Sequence, residues 1–169
     1  IPTLLHLVQT TARVEYSSIS NSRKQERIFA IIKPDAVAAG NTGKIIALIE
    51  DGVKILALRC QHLTLAQAQG FYAVHQGKGF FDELIAFMTE GPVVLLALER
   101  EDAVAKWREV MGATNPAKAD EGTVRKLYGT DIGRNASHGS DSNENAAIEL
   151  AWFFRGSEPS SPNPNQAGH

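Results

Sequence analysis

The segment Gly133-Arg134-Asn135-Ala136-Ser137-His138-Gly139-Ser140-Asp141-Ser142 holds the residue types in this chain best suited to chemistry. A single imidazole stands among glycine and small hydroxyl residues, with a basic side chain upstream. A neutral imidazole attacks electrophiles directly, and Gly139 beside it lets a bulky group approach the ring. Ser140 and Asp141 stand where a helix is expected to start, and helix starts attract anions through free amides and the helix dipole. A nucleophile next to an anion site points to phosphoryl transfer through a phosphohistidine. The competing reading of a lone histidine is an ordinary turn residue.

Other candidates are scattered. Lys33 closes an apolar run, at a place where a lysine projects into a cleft. Arg108, Thr114 beside Asn115-Pro116, and Arg125 in Gly122-Thr123-Val124-Arg125 follow later. Each alone reads as a solvated surface group. Phe80-Phe81 reads as core packing unless one ring faces a cleft. Glu149 would ordinarily face solvent, yet a carboxylate there can hold one nitrogen of His138 and fix its tautomer. Gly40-Asn41-Thr42-Gly43-Lys44 mimics a phosphate-binding loop, but its spacing is too short and Ile45 replaces the expected hydroxyl. It reads as a helix start.

The elements that must position these groups follow from apolar patterning. Ile28 to Ile32 reads as a buried strand stopped by a turn at Lys33-Pro34-Asp35. Thr42 is expected to cap a helix with apolar positions Ile45, Ile46, Leu48 and Ile49, closed by Asp51-Gly52. Val53 to Leu63 is the second strand. Thr64 opens another helix, and Phe80 to Met88 forms a further one. Val93 to Leu98 is the clearest buried strand, and a helix from Asp102 runs through Trp107 to Met111. A short helical stretch near Thr123 to Leu127 precedes the histidine segment. An amphipathic helix from Ala146 to Phe154 ends the domain. This order suggests an α+β fold, a ferredoxin-like split βαβ with its sheet packed on one face by helices.

The chain has 169 residues, 43% hydrophobic and 21% charged, enough for one globular core. Residues 1–25 read as a flexible N-terminal extension, 26–155 as the folded domain and 156–169 as a disordered Pro/Ser/Asn-rich tail. A net charge of −2 and no basic stripe argue against a nucleic-acid binder. Cys60 is the only cysteine, which excludes an internal disulfide and a Cys-rich zinc site. Its apolar neighbours place it on a strand. No apolar run approaches the roughly 20 residues that span a bilayer. The apolar opening Ile1 to Val8 lacks a basic leader, so the expectation is a soluble, cytoplasmic protein.

Taken together, Lys33-Pro34-Asp35, Phe80-Phe81, Gly91-Pro92-Val93-Val94, Met111 to Pro116, Gly122 to Arg125 and Gly133 to Ser142 resemble nucleoside diphosphate kinases in order and spacing. The resemblance runs from Glu26 to about Phe154, and the Asn-x-x-His-Gly-Ser-Asp run is its most specific part. It implies a four-stranded antiparallel sheet covered by helices, and ping-pong transfer from ATP to nucleoside diphosphates. It makes His138 the residue phosphorylated on Nδ1, Glu149 the carboxylate that supports the ring and Ser140 its hydroxyl neighbour. Lys33, Tyr72, Arg108, Thr114, Arg125 and Asn135 match residues that hold phosphates or sugar, and Phe80 matches the aromatic that stacks on the base. The family's Mg²⁺ bridges nucleotide phosphates, with no dedicated protein ligands expected here.

Three departures stand out. Gln76-Gly77-Lys78-Gly79 replaces the arginine and proline usual before the paired phenylalanines, which implies a looser lid over the base. Ala36 replaces a usual glycine. The sequence after Phe154 lacks the extension of hexameric eukaryotic members, which favours a homo-oligomer of dimers paired into a tetramer. Other functional classes are a nucleotide-binding regulator without chemistry, and transfer from phospho-His138 to a protein.

Overall fold

The computed structural model describes residues 24–154, so nearly all of the expected extension 1–25 and the tail 156–169 lie outside the described residues. Strand β1 (Gln25–Ile32) is the spine. Five successive apolar residues, Ile28 to Ile32, are fully buried. A strand apolar on both sides requires cover on both sides. The remaining strands are β2 (Lys54–His62), β3 (Pro92–Glu101) and β4 (Ser137–Gly139), in the order β2-β3-β1-β4. Every neighbouring pair is antiparallel. β1 and β2 therefore run in the same direction with β3 between them, which is the split βαβ arrangement.

The helices are α1 (Pro34–Ala38), α2 (Thr42–Glu50), α3 (Leu65–Phe71), α4 (Phe81–Met88), α5 (Ala103–Met111), α6 (Val124–Tyr128) and α7 (Asn143–Phe153). They cover both sheet faces, which corrects the expectation of one covered face. Ile28, Ala30 and Ile32 of β1 pack with Ile45 and Ile49 of α2 and Trp107 of α5. Phe29 and Ile31, pointing the other way, pack with Ala68 of α3, Ile85 of α4 and Phe153 of α7. The strand period of two divides one apolar run between two cores.

Local chemistry accounts for several boundaries that differ from the sequence reading. Lys33-Pro34-Asp35 is more than a turn: Pro34 starts α1, its missing N–H harmless at that position, and Asp35 suits the first turn. Thr42 is the first residue of α2 and does not cap it; Asn41 holds that place without a side-chain bond. Thr64 does cap α3, in a reciprocal box with Gln67. The last helix starts at Asn143 because the hydroxyl of Ser142 accepts from Asn145 N at 3.1 Å, so neither Ser140 nor Asp141 opens it. α7 leaves Ile148 and Trp152 exposed, so its apolar residues do not lie on one buried stripe. Among the described residues no helix is long and apolar enough to cross a membrane.

Candidate active site

β4 is only three residues long, yet it hydrogen-bonds to the central strand: Ile31 faces His138 and Ala30 faces Gly139. This pairing fixes the backbone of the imidazole. Trp107 of α5 reinforces it by donating Nε1–H to His138 O at 3.3 Å. The ring itself packs edge-on against Phe71, with centroids 5.5 Å apart, and tilts against Phe29 at 6.2 Å. Glu149, two turns into α7, bonds His138 Nε2 through Oε1 at 2.5 Å. A carboxylate accepts, so Nε2 is the protonated nitrogen and Nδ1 keeps its lone pair.

Ser140 departs from the sequence reading. Its hydroxyl accepts from Phe29 N at 3.1 Å and donates to Phe29 O at 3.2 Å. Both functions of the group are committed to the backbone of β1, so it anchors the end of β4, and no hydrogen bond joins it to His138 or Glu149 among the described residues. Tyr72 follows α3, and its hydroxyl is buried with no hydrogen-bond partner among the described residues. Burial, and then the negative charge of Glu149, push that phenol well above its usual range. Tyr72 thus shares the pocket of the His138–Glu149 pair.

The cations arrive from three other elements. Lys33, between β1 and α1, donates from Nζ to Asn135 Oδ1 at 2.8 Å. Burial, and next the charge of Arg125, lower its pKa to about 8, against a smaller opposing effect of Asp35. Arg125 of α6 is buried and donates to Gly112 O at 3.1 Å and Ser137 O at 3.0 Å, while its Nε lacks a partner among the described residues. Its pKa is lowered by burial and then by Arg108. Arg108 is exposed in the last turn of α5. Three basic side chains thus sit close enough for each neighbouring pair to feel repulsion. Such a cluster is relieved by an anion.

Asn135 connects this cluster to the next loop, donating from Nδ2 to Thr114 O at 3.1 Å. Thr114 is exposed beside it. Asp141 accepts from Asn145 at 2.6 Å, and this bond chiefly holds its carboxyl below the usual range, with a further contribution from Arg108. Among the described residues, no three His, Cys, Asp or Glu side chains converge as a metal-binding group. Asp35 Oδ2, Asp141 Oδ1 and Glu149 Oε1 accept from Ala136, Asn145 and His138, while Asp35 Oδ1 and Glu149 Oε2 are buried without a hydrogen-bond partner among the described residues.

Phe80 precedes α4 and is 50% exposed. Lys78 Nζ lies 5.8 Å from its ring centroid, and the His75 ring lies 5.4 Å away. His75 also stacks on Tyr72 at 6.3 Å, and the charge of His138 is among the influences lowering its pKa, after burial and Lys78. His75 therefore joins Phe80 to the His138 pocket, and it was missed as a site residue. The signal was the spacing Tyr72-x-x-His75, which puts both side chains on one side of a helical turn. Phe71 and Trp107 were also missed; their types and spacing match ordinary core positions.

Comparisons with known proteins converge on one family. The family model described as Nucleoside diphosphate kinase matches residues 26–159. A nucleoside diphosphate kinase of Sorangium cellulosum is 57% identical over 134 residues, covering 79% of this chain and 93% of the relative. One from Azorhizobium caulinodans is 58% identical over 134 residues, covering 79% and 96%. Among solved structures, the Aquifex aeolicus nucleoside diphosphate kinase superposes with a TM-score of 0.75 at 42% identity, covering 79% of this chain and 97% of that one. A Halobacterium salinarum nucleoside diphosphate kinase in complex with CDP gives 0.74 at 38% identity, covering 78% and 89%. With a half-buried His–Glu pair whose histidine follows the residue that binds Arg125, and with these relatives, the chain belongs to the nucleoside diphosphate kinase family of nucleotide phosphotransferases.

Proposed function

We propose that this enzyme runs a ping-pong exchange through phospho-His138. The observation that carries the reading is the 2.5 Å bond from His138 Nε2 to Glu149, which leaves the Nδ1 lone pair as nucleophile. Nδ1 attacks the γ-phosphorus of a nucleoside triphosphate. The bond from that phosphorus to the bridging oxygen breaks, and the diphosphate leaves with the electron pair. Glu149 keeps its hold on the Nε2 proton and stabilises the positive charge that the ring gains. In the return step, a terminal oxygen of a second diphosphate attacks the same phosphorus. The N–P bond breaks, and the neutral ring is restored.

Lys33, Arg108 and Arg125 hold the phosphate oxygens, and their mutual repulsion in the free site supports that role. The buried Tyr72 hydroxyl lacks a partner among the described residues and is suited to donate to the phosphoryl group on the imidazole. Asn135 and Thr114 position sugar and phosphate. Phe80 offers a half-exposed ring to the base, and stacking discriminates little among bases. ATP, GTP and, by analogy with the CDP complex of the Halobacterium relative, cytidine nucleotides all fit that reading. Mg²⁺ carried by the nucleotide would neutralise charge on its phosphate oxygens. The same reading puts the enzyme in the cytoplasm, where it replenishes triphosphate pools, as a homo-oligomer built of dimers.

The test is to incubate the protein with γ-labelled ATP and then add GDP. Label is expected to enter the protein, to be acid-labile and base-stable, and to leave as GTP. His138→Gln should abolish both steps while ADP binding survives. A wild-type protein that never takes label, or a labelled His138→Gln variant, overturns the assignment.

A further inference from the structure

Ala136 stands two residues before His138 with φ of +70°, one of two non-glycine residues with positive φ among those described. Ser137 N donates to Asn135 O at 2.9 Å, closing a three-residue turn around it. A γ-turn with positive φ at its centre is the rare and strained form, and a Cβ there adds to the strain. Such a conformation persists only where its surroundings over-determine it.

The surroundings are the Lys33-Pro34-Asp35 segment. Lys33 N donates to Ala136 O at 2.8 Å, and Ala136 N donates to Asp35 Oδ2 at 3.1 Å. Both polar groups of the strained residue are therefore gripped by one short stretch of another element. Ala136 is fully buried, so water does not substitute for either bond. The turn lies between Asn135, which bridges Lys33 and Thr114, and Ser137, whose carbonyl receives Arg125. Its direction fixes how the phosphate-facing groups lie relative to the imidazole of His138.

We propose that Asp35 is a positioning residue for phosphoryl transfer: its carboxylate holds Ala136 in the strained turn that aligns Asn135 and His138 on one phosphate. The proposal rests on the catalytic reading of His138 given above. Glycine adopts positive φ without the Cβ penalty, so it relieves the need for the clamp. That gives a direct test with Asp35→Ala, Ala136→Gly, their combination, and Asp35→Asn, which retains an acceptor oxygen.

Asp35→Ala should lower kcat for nucleotide exchange by roughly 10–100-fold, the scale of losing an orienting partner, with KM changing far less. Asp35→Asn and Ala136→Gly should remain near the wild-type rate. The double variant Asp35→Ala/Ala136→Gly should recover most of the loss. If Asp35→Ala does not fold, a folded and active double variant carries the same conclusion. A double variant that is unfolded, or no better than Asp35→Ala, overturns the proposal, as does an Asp35→Ala enzyme with the wild-type kcat. Exchange protection of the Ala136 amide, read by NMR, reports the clamp without catalysis: it should be present in the wild type and lost on Asp35→Ala in the Ala136→Gly background. A wild-type protein that never takes label on His138 would defeat the catalytic reading while leaving this structural readout intact.

Discussion

Lys33 is buried beside another cation, and its ammonium bonds Asn135 Oδ1 as its one acceptor among the described residues. With its pKa lowered to about 8, the free enzyme has largely lost this proton by about pH 8.5. An incoming diphosphate is fully ionised at that pH and favours the charged lysine, so its binding should take up a proton. At about pH 6.5 Lys33 is already protonated and contributes no uptake. Calorimetric titration with ADP in two buffers of different ionisation enthalpy measures this directly. Equal apparent enthalpies at the higher pH would show that Lys33 does not sense the phosphate, and Lys33→Met should abolish any uptake. Much of the site was legible at this scale, because the histidine run is made of residue types that no core or solvent face prefers. The role of the Ser140 hydroxyl was not, since its bonds go to a strand 111 positions away in sequence. Nor was the clamp on Ala136, because a side chain on one element and an amide on another leave no local pattern.

At the scale of elements, β4 owes its place to what lies beneath it. Gly139 pairs with Ala30 of β1, and a Cβ on it would run into the indole of Trp107 and, at 2.7 Å, Cε of Met111. The absence of a side chain lets α5 sit flush against β4, close enough for Trp107 to bond His138 O. Gly139→Ala should therefore destabilise the fold by about 1–3 kcal/mol, the usual cost of overpacking. It should also slow phosphorylation of His138, since the strand carrying it must shift. Thermal unfolding and single-turnover labelling check the two effects, and an unchanged melting temperature would show that α5 yields freely. Three of the strands and the main helices were readable from apolar runs and turn residues, whereas β4, Ser-His-Gly, carries no apolar run. α1 was not, because Pro34 reads as a breaker unless it is placed at a helix start, where its ring is pre-organised. Cover on both faces was also hidden, since the continuous apolar run of β1 reads as one buried strand without stating what buries each side.

For the whole molecule, the sheet order sets the candidate site and the outer strand β2 at opposite edges. β4, with His138, lies at one edge, while β2 lies at the other with two strands between them. Among the described residues no strand pairs with the outer side of β2. Leu56 and Leu58 of that strand are 39% and 46% exposed. A nine-residue edge strand with exposed leucines, interrupted by a bulge at Leu56, leaves the stretch from Ala57 to His62 as a template for another strand. Pairing with the same strand of a second copy satisfies it through a self-complementary two-fold contact. The homo-oligomer proposed above would then grow from β2-to-β2 dimers. Leu58→Glu places a charge opposite its two-fold partner region and removes apolar contact, so it should shift the enzyme towards the mass of one chain in sedimentation. Exchange activity per chain should largely persist in that variant, because Lys33, Arg125, His138 and Glu149 belong to β4 and the elements around it. A Leu58→Glu enzyme that sediments like the wild type would move the interface elsewhere. Loss of activity together with dissociation would instead mean that the second copy completes or stiffens the site across the sheet.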